Sequence, residues 1–213
     1  QGKTAGMKPY LTIEKEAMCE TIVKKSRFIG MVYPAQSPEA AAQKIAAVKK
    51  QYWDARHNCS AMVIGGDGAF RRYSDDGEPQ GTAGLPMLEV LIQSGVTNVL
   101  AMVTRYFGGV LLGAGGLVRA YSSAAAGALK AARIVRMAPC AVYGITVPYA
   151  SYGRLETIAR QGGYVLENAV FGQDVAADVL VPWDRRETFL GEATEAFGGK
   201  AVPAEKGEKY LAQ

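Results

Sequence analysis

Three short stretches of the chain combine residue types that could do chemistry. The first is Leu111-Leu112-Gly113-Ala114-Gly115-Gly116-Leu117-Val118-Arg119, which follows Gly108 and Gly109 and opens an alanine-rich helix. Glycines permit close backbone approach and positive φ, so successive N–H groups can converge on an anion. A helix N-terminus adds its own partial positive charge. Arg105 before the loop and Arg119 after it could supply bidentate phosphate contacts. The stretch lacks the G-K-S/T triad of a P-loop and the ribose-binding acid of a dinucleotide motif. A tight loop with no ligand would need some of the same glycines.

The second stretch is Asp75-Asp76-Gly77-Glu78-Pro79-Gln80-Gly81-Thr82. Its carboxylates could hold Mg²⁺ through waters or work as acid and base. The simpler expectation is an acidic loop that pairs with Arg71, Arg72 or Arg105, or that caps the next helix. The third is His57-Asn58-Cys59. A Cys/His pair suggests nucleophilic catalysis. Cys59 is expected to start a strand, however, and adjacent residues there turn to opposite faces. With 1 histidine in the chain, multi-histidine metal sites are excluded. His57 reads instead as a hydrogen bond or an anion contact at the strand's mouth. Tyr73, Tyr106, Phe107 and Tyr121 could stack on bases, although most of them read as core. No catalytic residue, metal ligand or cofactor is assigned.

The surrounding elements must position these stretches. Glu20 to Tyr33 is rich in β-formers and reads as one bent strand or a pair. Ser37 then caps a helix with Pro38 at its first position, and Ala41, Ile45, Val48 and Tyr52 follow at helical spacing. Cys59 to Ile64 and Ala69 to Tyr73 read as a hairpin around Gly65-Gly66-Asp67-Gly68. A helix opened by Pro86 and ended by Gly95 leads to Asn98–Thr104, a central strand apolar on both faces. The glycine-rich stretch then opens a helix expected to run to about Met137, with Leu117, Tyr121, Ala124 and Ala128 inward. Pro139 reads as a domain boundary, giving domains 1–138 and 139–213. Beyond it Val147-Pro148-Tyr149 recurs as Val181-Pro182-Trp183. Each copy follows an alternating strand and precedes a helix, started by Ser151 in one case and by an Asp184/Glu187 capping box in the other. Two such units give βαββαβ, the ferredoxin-like motif. The fold class is therefore α+β, an α/β domain followed by a ferredoxin-like one.

Composition narrows the class. At 49% hydrophobic and 21% charged residues the 213-residue chain is an ordinary globular protein. No apolar run is long enough to span a membrane. Residues 1–6, before Met7, read as an expression-tag remnant and are set aside. Cys19, Cys59 and Cys140 are too dispersed for a disulfide framework or a zinc site, which points to a reducing, cytoplasmic location. The net charge of +4 divides unevenly: residues 1–138 hold 17 Lys and Arg against 10 Asp and Glu, and residues 139–213 hold 7 against 10. A basic half joined to an acidic half suggests that the first faces an anion.

Taken together, Asp54-Ala55-Arg56-His57-Asn58-Cys59, Ser74 to Gly84, Thr104-Arg105-Tyr106-Phe107-Gly108-Gly109 and Leu112 to Tyr121 resemble the IMPACT family, in its bacterial YigZ branch. The resemblance spans residues 20–130 and continues into a small C-terminal domain. It implies a first domain like domain 2 of ribosomal proteins and a second like the last domain of elongation factor G. It also implies a translation-linked regulator that binds nucleic acid, with no established catalysis. On that reading RNA or the ribosome is the partner, and His57, Arg105, Gly108, Gly109, Gly113, Gly115, Gly116 and Arg119 form the anion site. Lys24, Lys25 and Arg27 add phosphate contacts, while Asp75, Asp76, Glu78 and Thr82 shape the groove. The alternatives are a small enzyme that binds a phosphorylated metabolite or nucleotide at the glycine-rich loop, and an adaptor that docks a protein through its C-terminal domain.

Overall fold

Strand β6 (Val99–Tyr106) has no polar alternation through Val99-Leu100-Ala101-Met102-Val103, and a strand covered on both faces needs none. In the computed structural model it is the middle strand of an antiparallel sheet. The order is β2 (Ala17–Val23), β3 (Ser26–Pro34), β6, β4 (His57–Ile64) and β5 (Phe70–Ser74). Helices α2 (Gly84–Gln93) and α3 (Ala114–Ala132) cover one face, over Phe28, Val32, Ala101 and Val103. Helix α1 (Pro38–Gln51) covers the other, over Ile29, Met31, Leu100 and Met102. Ser37 caps α1 as expected, its Oγ accepting from the Ala40 N–H at 3.1 Å. The structure describes residues 7–213, so the reading of residues 1–6 as a tag remnant lies outside the described residues.

The chain divides into two compact units, one running through Arg136 and the other from Met137. Pro139 stands inside strand β7 (Ile134–Pro148). Strand β1 (Tyr10–Ile13) also pairs with β7, and the Glu14 N–H donates to the Arg133 carbonyl at 3.0 Å. Helix α3 does not reach Met137: it stops at Ala132, where Arg133 adopts φ 59°. The β-branched pair Ile134-Val135 that follows suits extended backbone better than another helical turn.

The second unit runs β7, α4 (Tyr152–Gly162), β8 (Val165–Phe171), β9 (Asp174–Pro182), α5 (Arg186–Phe197) and β10 (Ala204–Ala212). Its strands lie in the order β10, β7, β9, β8, all antiparallel, which is the ferredoxin-like arrangement. Tyr143, Ile145 and Val147 on one strand and Val175, Ala177, Val179 and Val181 on the other face the helices. The repeated Val-Pro-aromatic triplets share a conformation, with φ/ψ of −54°/143° at Pro148 and −49°/139° at Pro182. Each leads into a short 3₁₀ turn rather than directly into its helix. The Asp184/Glu187 capping box therefore does not form, and Ser151 makes no capping bond, because the 3₁₀ turns feed the helices without a break. Among the described residues no helix is long and apolar enough to cross a membrane.

Two backbone details bear on the site. Glu20 to Tyr33 is a strand pair, and its turn is Lys24-Lys25, both at positive φ (45° and 67°). Such turns favour Asn-Gly, so two lysines there carry strain. Gly108 lies so close to this turn that a Cβ would stand 2.0 Å from the Lys25 carbonyl carbon and oxygen. Gly30, in the middle of β3, likewise would put a Cβ 2.2 Å from the Ala124 carbonyl of α3. Gly30→Ala should cost about 2–3 kcal/mol by overpacking, read as a lower urea midpoint. Lys24→Asn/Lys25→Gly should raise that midpoint by relieving the turn.

A candidate anion-binding cleft

Sheet register assembles the floor of the site. Arg105 on β6 is paired with Phe28 of β3 and with His57 of β4, so all three side chains rise from the same face at one end of the sheet. Arg105 is only 5% exposed. Its Nη1 lies 2.6 Å from Glu78 Oε1, and its Nη2 donates to Ser26 Oγ at 3.3 Å. The Tyr121 hydroxyl from α3 donates to the same Glu78 oxygen at 2.7 Å. Burial holds the Tyr121 phenol far above its usual range, with Cys59 and Glu78 adding to the effect, so it remains a donor. The Tyr121 ring meets Phe28 edge-on, 5.3 Å between centroids.

The rest of the acidic loop is committed to the fold. Asp75 accepts from the N–H groups of Gly81 (2.8 Å), Ala83 (3.1 Å) and Gly84 (2.8 Å), so it caps α2 from outside the helix. Asp76 accepts from the Asn58 N–H at 2.7 Å and pairs with Lys49 at 2.6 Å. Burial acts to raise the Asp76 pKa, but the Lys49 ammonium and the Asn58 N–H outweigh it and hold the carboxyl below the usual range. Thr82 donates to the Pro79 carbonyl at 2.6 Å. The expected pairing within this loop holds for Arg105 with Glu78; Lys49, not Arg71 or Arg72, serves Asp76, and Arg71 instead donates to the Gly68 carbonyl.

Because β4 begins at His57 rather than Cys59, His57 and Cys59 share a face, contrary to the reading from spacing. They still form no nucleophile pair. The Cys59 thiol donates to the Asp75 carbonyl at 3.0 Å, and burial pushes its pKa up to about 12. His57 Nδ1 lies 2.8 Å from the Asp76 carbonyl oxygen and so must donate to it, which fixes the tautomer of the neutral ring. Its Nε2 then faces Glu78 Oε2 at 3.8 Å.

Above this floor opens a cleft of about 400 Å³. Among the residues singled out from the sequence it brings together His57, Glu78, Arg105 and Gly113. Gly113, at φ 74°, precedes α3 and supplies no side-chain cap, so the first N–H groups of that helix end at the cleft. Gly108, Gly109, Gly115, Gly116 and Arg119 do not line it. Gly108 serves the packing against Lys25 instead, its N–H donating to Ser26 Oγ at 3.2 Å. Arg119 is exposed farther along α3. Phe107, one of the aromatics considered for base stacking, lines the cleft, as does Arg56, which was given no role from the sequence although it adjoins His57.

Residues 24–129 match the Impact N-terminal domain, and residues 145–200 match a domain of unknown function, DUF1949. Over 202 residues the chain is 36% identical to the IMPACT family member YvyE of Bacillus subtilis (strain 168), covering 95% of this chain and 93% of the relative. This chain belongs to the IMPACT family. It is also 40% identical over 161 residues to the IMPACT family member YigZ of Escherichia coli (strain K12), with 75% of this chain and 77% of the relative covered. A crystal structure of a hypothetical protein superposes with a TM-score of 0.61 at 34% identity, covering 92% of this chain and 97% of that one. Family membership supports a regulatory or translation-associated role at the family level, and the whole cleft falls within the Impact N-terminal match.

Removing one partner of the buried pair strands the other. Glu78→Ala should therefore destabilise the fold by about 3–5 kcal/mol, and Tyr121→Phe by about 1–2 kcal/mol, both measured by urea unfolding. Asp76 has a lowered folded-state pKa, so its stabilisation is complete above the ordinary carboxylate range and is lost as pH falls through the folded value. In Asp76→Asn the acid limb of the stability profile should flatten; an unchanged acid limb would show that the Lys49 pairing contributes nothing.

Proposed function

We propose that this protein is a translation-linked regulator that binds RNA phosphate, free or on the ribosome, through the cleft of its first unit. One observation carries the reading: the uncapped N-terminus of α3 meets the exposed guanidinium of Arg56 at the mouth of one cleft. Unsatisfied helix N–H groups and an Arg fork are complementary to phosphate oxygens. Lys24 and Lys25 stand exposed on the turn that Gly108 packs against, and Arg119 stands exposed on α3. These exposed cations can reach a polyanion, while Arg105 is engaged with Glu78. The excess of basic residues in this part of the chain supports the same reading.

The test is binding of total RNA and of purified ribosomes at low and at physiological salt. Wild-type affinity should fall with salt. Arg56→Ala/Arg119→Ala should bind more weakly, with a salt slope smaller by about one for each phosphate that the variant no longer neutralises. Arg105→Ala is a poor probe, because it would leave Glu78 unpaired. A folded wild-type protein that binds neither RNA nor ribosomes at low salt would sink the proposal.

A further inference from the structure

The cleft has features that a track for a phosphate backbone does not need. Its volume of about 400 Å³ is that of a pocket enclosing a small molecule. One wall is apolar. Phe107 is 41% exposed, and its ring centroid lies within cation–π reach of two guanidinium groups, 5.8 Å from Arg56 and 5.6 Å from Arg105. A partly exposed ring with cations in reach is a platform for a flat, electron-rich heterocycle. Leu111, 83% exposed, extends that wall.

The polar floor is incompletely satisfied. Glu78 Oε1 takes both Arg105 and Tyr121, whereas among the described residues Oε2 meets only His57 Nε2, at 3.8 Å. In the tautomer whose Nδ1 donates to the Asp76 carbonyl, His57 Nε2 is an acceptor that faces Glu78 Oε2. A vicinal diol supplies the two donors that such a pair lacks. Arg105 lines the cleft at 5% exposure, and its Nε is a buried donor with no partner among the described residues. An unspent buried donor is costly in a closed protein and useful where an anion arrives.

We infer that the cleft takes one ribonucleoside monophosphate unit, free or as the 3′-terminal nucleotide of an RNA, the one that keeps both ribose hydroxyls. Its phosphate meets the α3 N-terminus and Arg56, its base lies against Phe107, and its ribose diol is directed to Glu78 and His57. This deepens the reading above and rests on the same anion site. It adds two discriminations that reading does not contain: a sugar bearing both hydroxyls, and a base.

The experiment is an amide-shift NMR titration of the full chain with the four ribonucleoside 5′-monophosphates, their 2′,3′-dideoxy analogues and inorganic phosphate. At least one ribonucleotide should shift Phe107, Gly113 and Ala114 saturably. Its dideoxy analogue should bind roughly tenfold more weakly, as expected when hydrogen bonds to a charged acceptor are removed. Phe107→Ala, a substitution at a partly exposed position, should weaken the ribonucleotide by roughly tenfold as well. Equal affinity for the dideoxy analogue, equal affinity for inorganic phosphate, or no saturable shift would each overturn the inference. An oligoribonucleotide with a free 3′ end, where the diol is kept, separates the sources: the same shifts mean a terminal nucleotide, and their absence means a free one. Salt-sensitive RNA binding without any mononucleotide site would leave the proposed function standing and remove this inference; a mononucleotide site without RNA binding would do the reverse.

Discussion

A guanidinium and a carboxylate buried side by side, Arg105 and Glu78, are the constraint around which the first unit is arranged. Taking two charges out of water is expensive, and their attraction repays the cost only with good geometry and further hydrogen bonds. Those bonds come from separate parts of the chain: Ser26 at the start of β3, Tyr121 on α3, and the loop that carries Glu78 itself. The pair therefore fixes the acidic loop against the sheet, sets α3 over Phe28, and through Ser26 anchors the Gly108 backbone. The cleft is what remains above that knot.

The acidic loop shows why a local count of charge misleads about a site. Its carboxylates are turned to α2, to Lys49 and to Arg105, which leaves one Glu78 oxygen toward the cleft. What the cleft presents outward is different in kind: helix N–H groups, the Arg56 head and an apolar wall. The second unit treats its charges similarly, with Asp178 paired to Lys206 and Glu167 to Lys209.

Much of the fold was legible in the sequence, because alternation, helical spacing and the repeated Val-Pro-aromatic triplet are local signals. The ferredoxin-like order, the Ser37 cap and the doubly covered β6 follow from them. What escaped local reading is what depends on long-range partners. That the acidic loop caps the next helix was legible, but not that Asp75 does so from nine residues away. Lys49 meets Asp76 across a gap that no periodicity reveals. Register, which sets Arg105 between Phe28 and His57, is likewise a property of three strands and not of one. The glycine-rich stretch was legible as a cluster, but its glycines divide the labour: Gly113 opens the cleft, while Gly108 is demanded by the Lys25 backbone.

The strand orders of the two units have unequal consequences during synthesis. In the first, every strand of the central sheet has been made once Tyr106 is added, and the covering helix α3 follows directly. In the second, the earliest strand, β7, takes β9 and β10 as neighbours besides β1, so it waits for residues up to 182 and then 212 before those two exist. Non-local pairing of this kind delays folding, and domains made first fold first. The nascent protein thus passes through a stage in which every strand of its cleft-bearing half is made while β7 still lacks its partners β9 and β10.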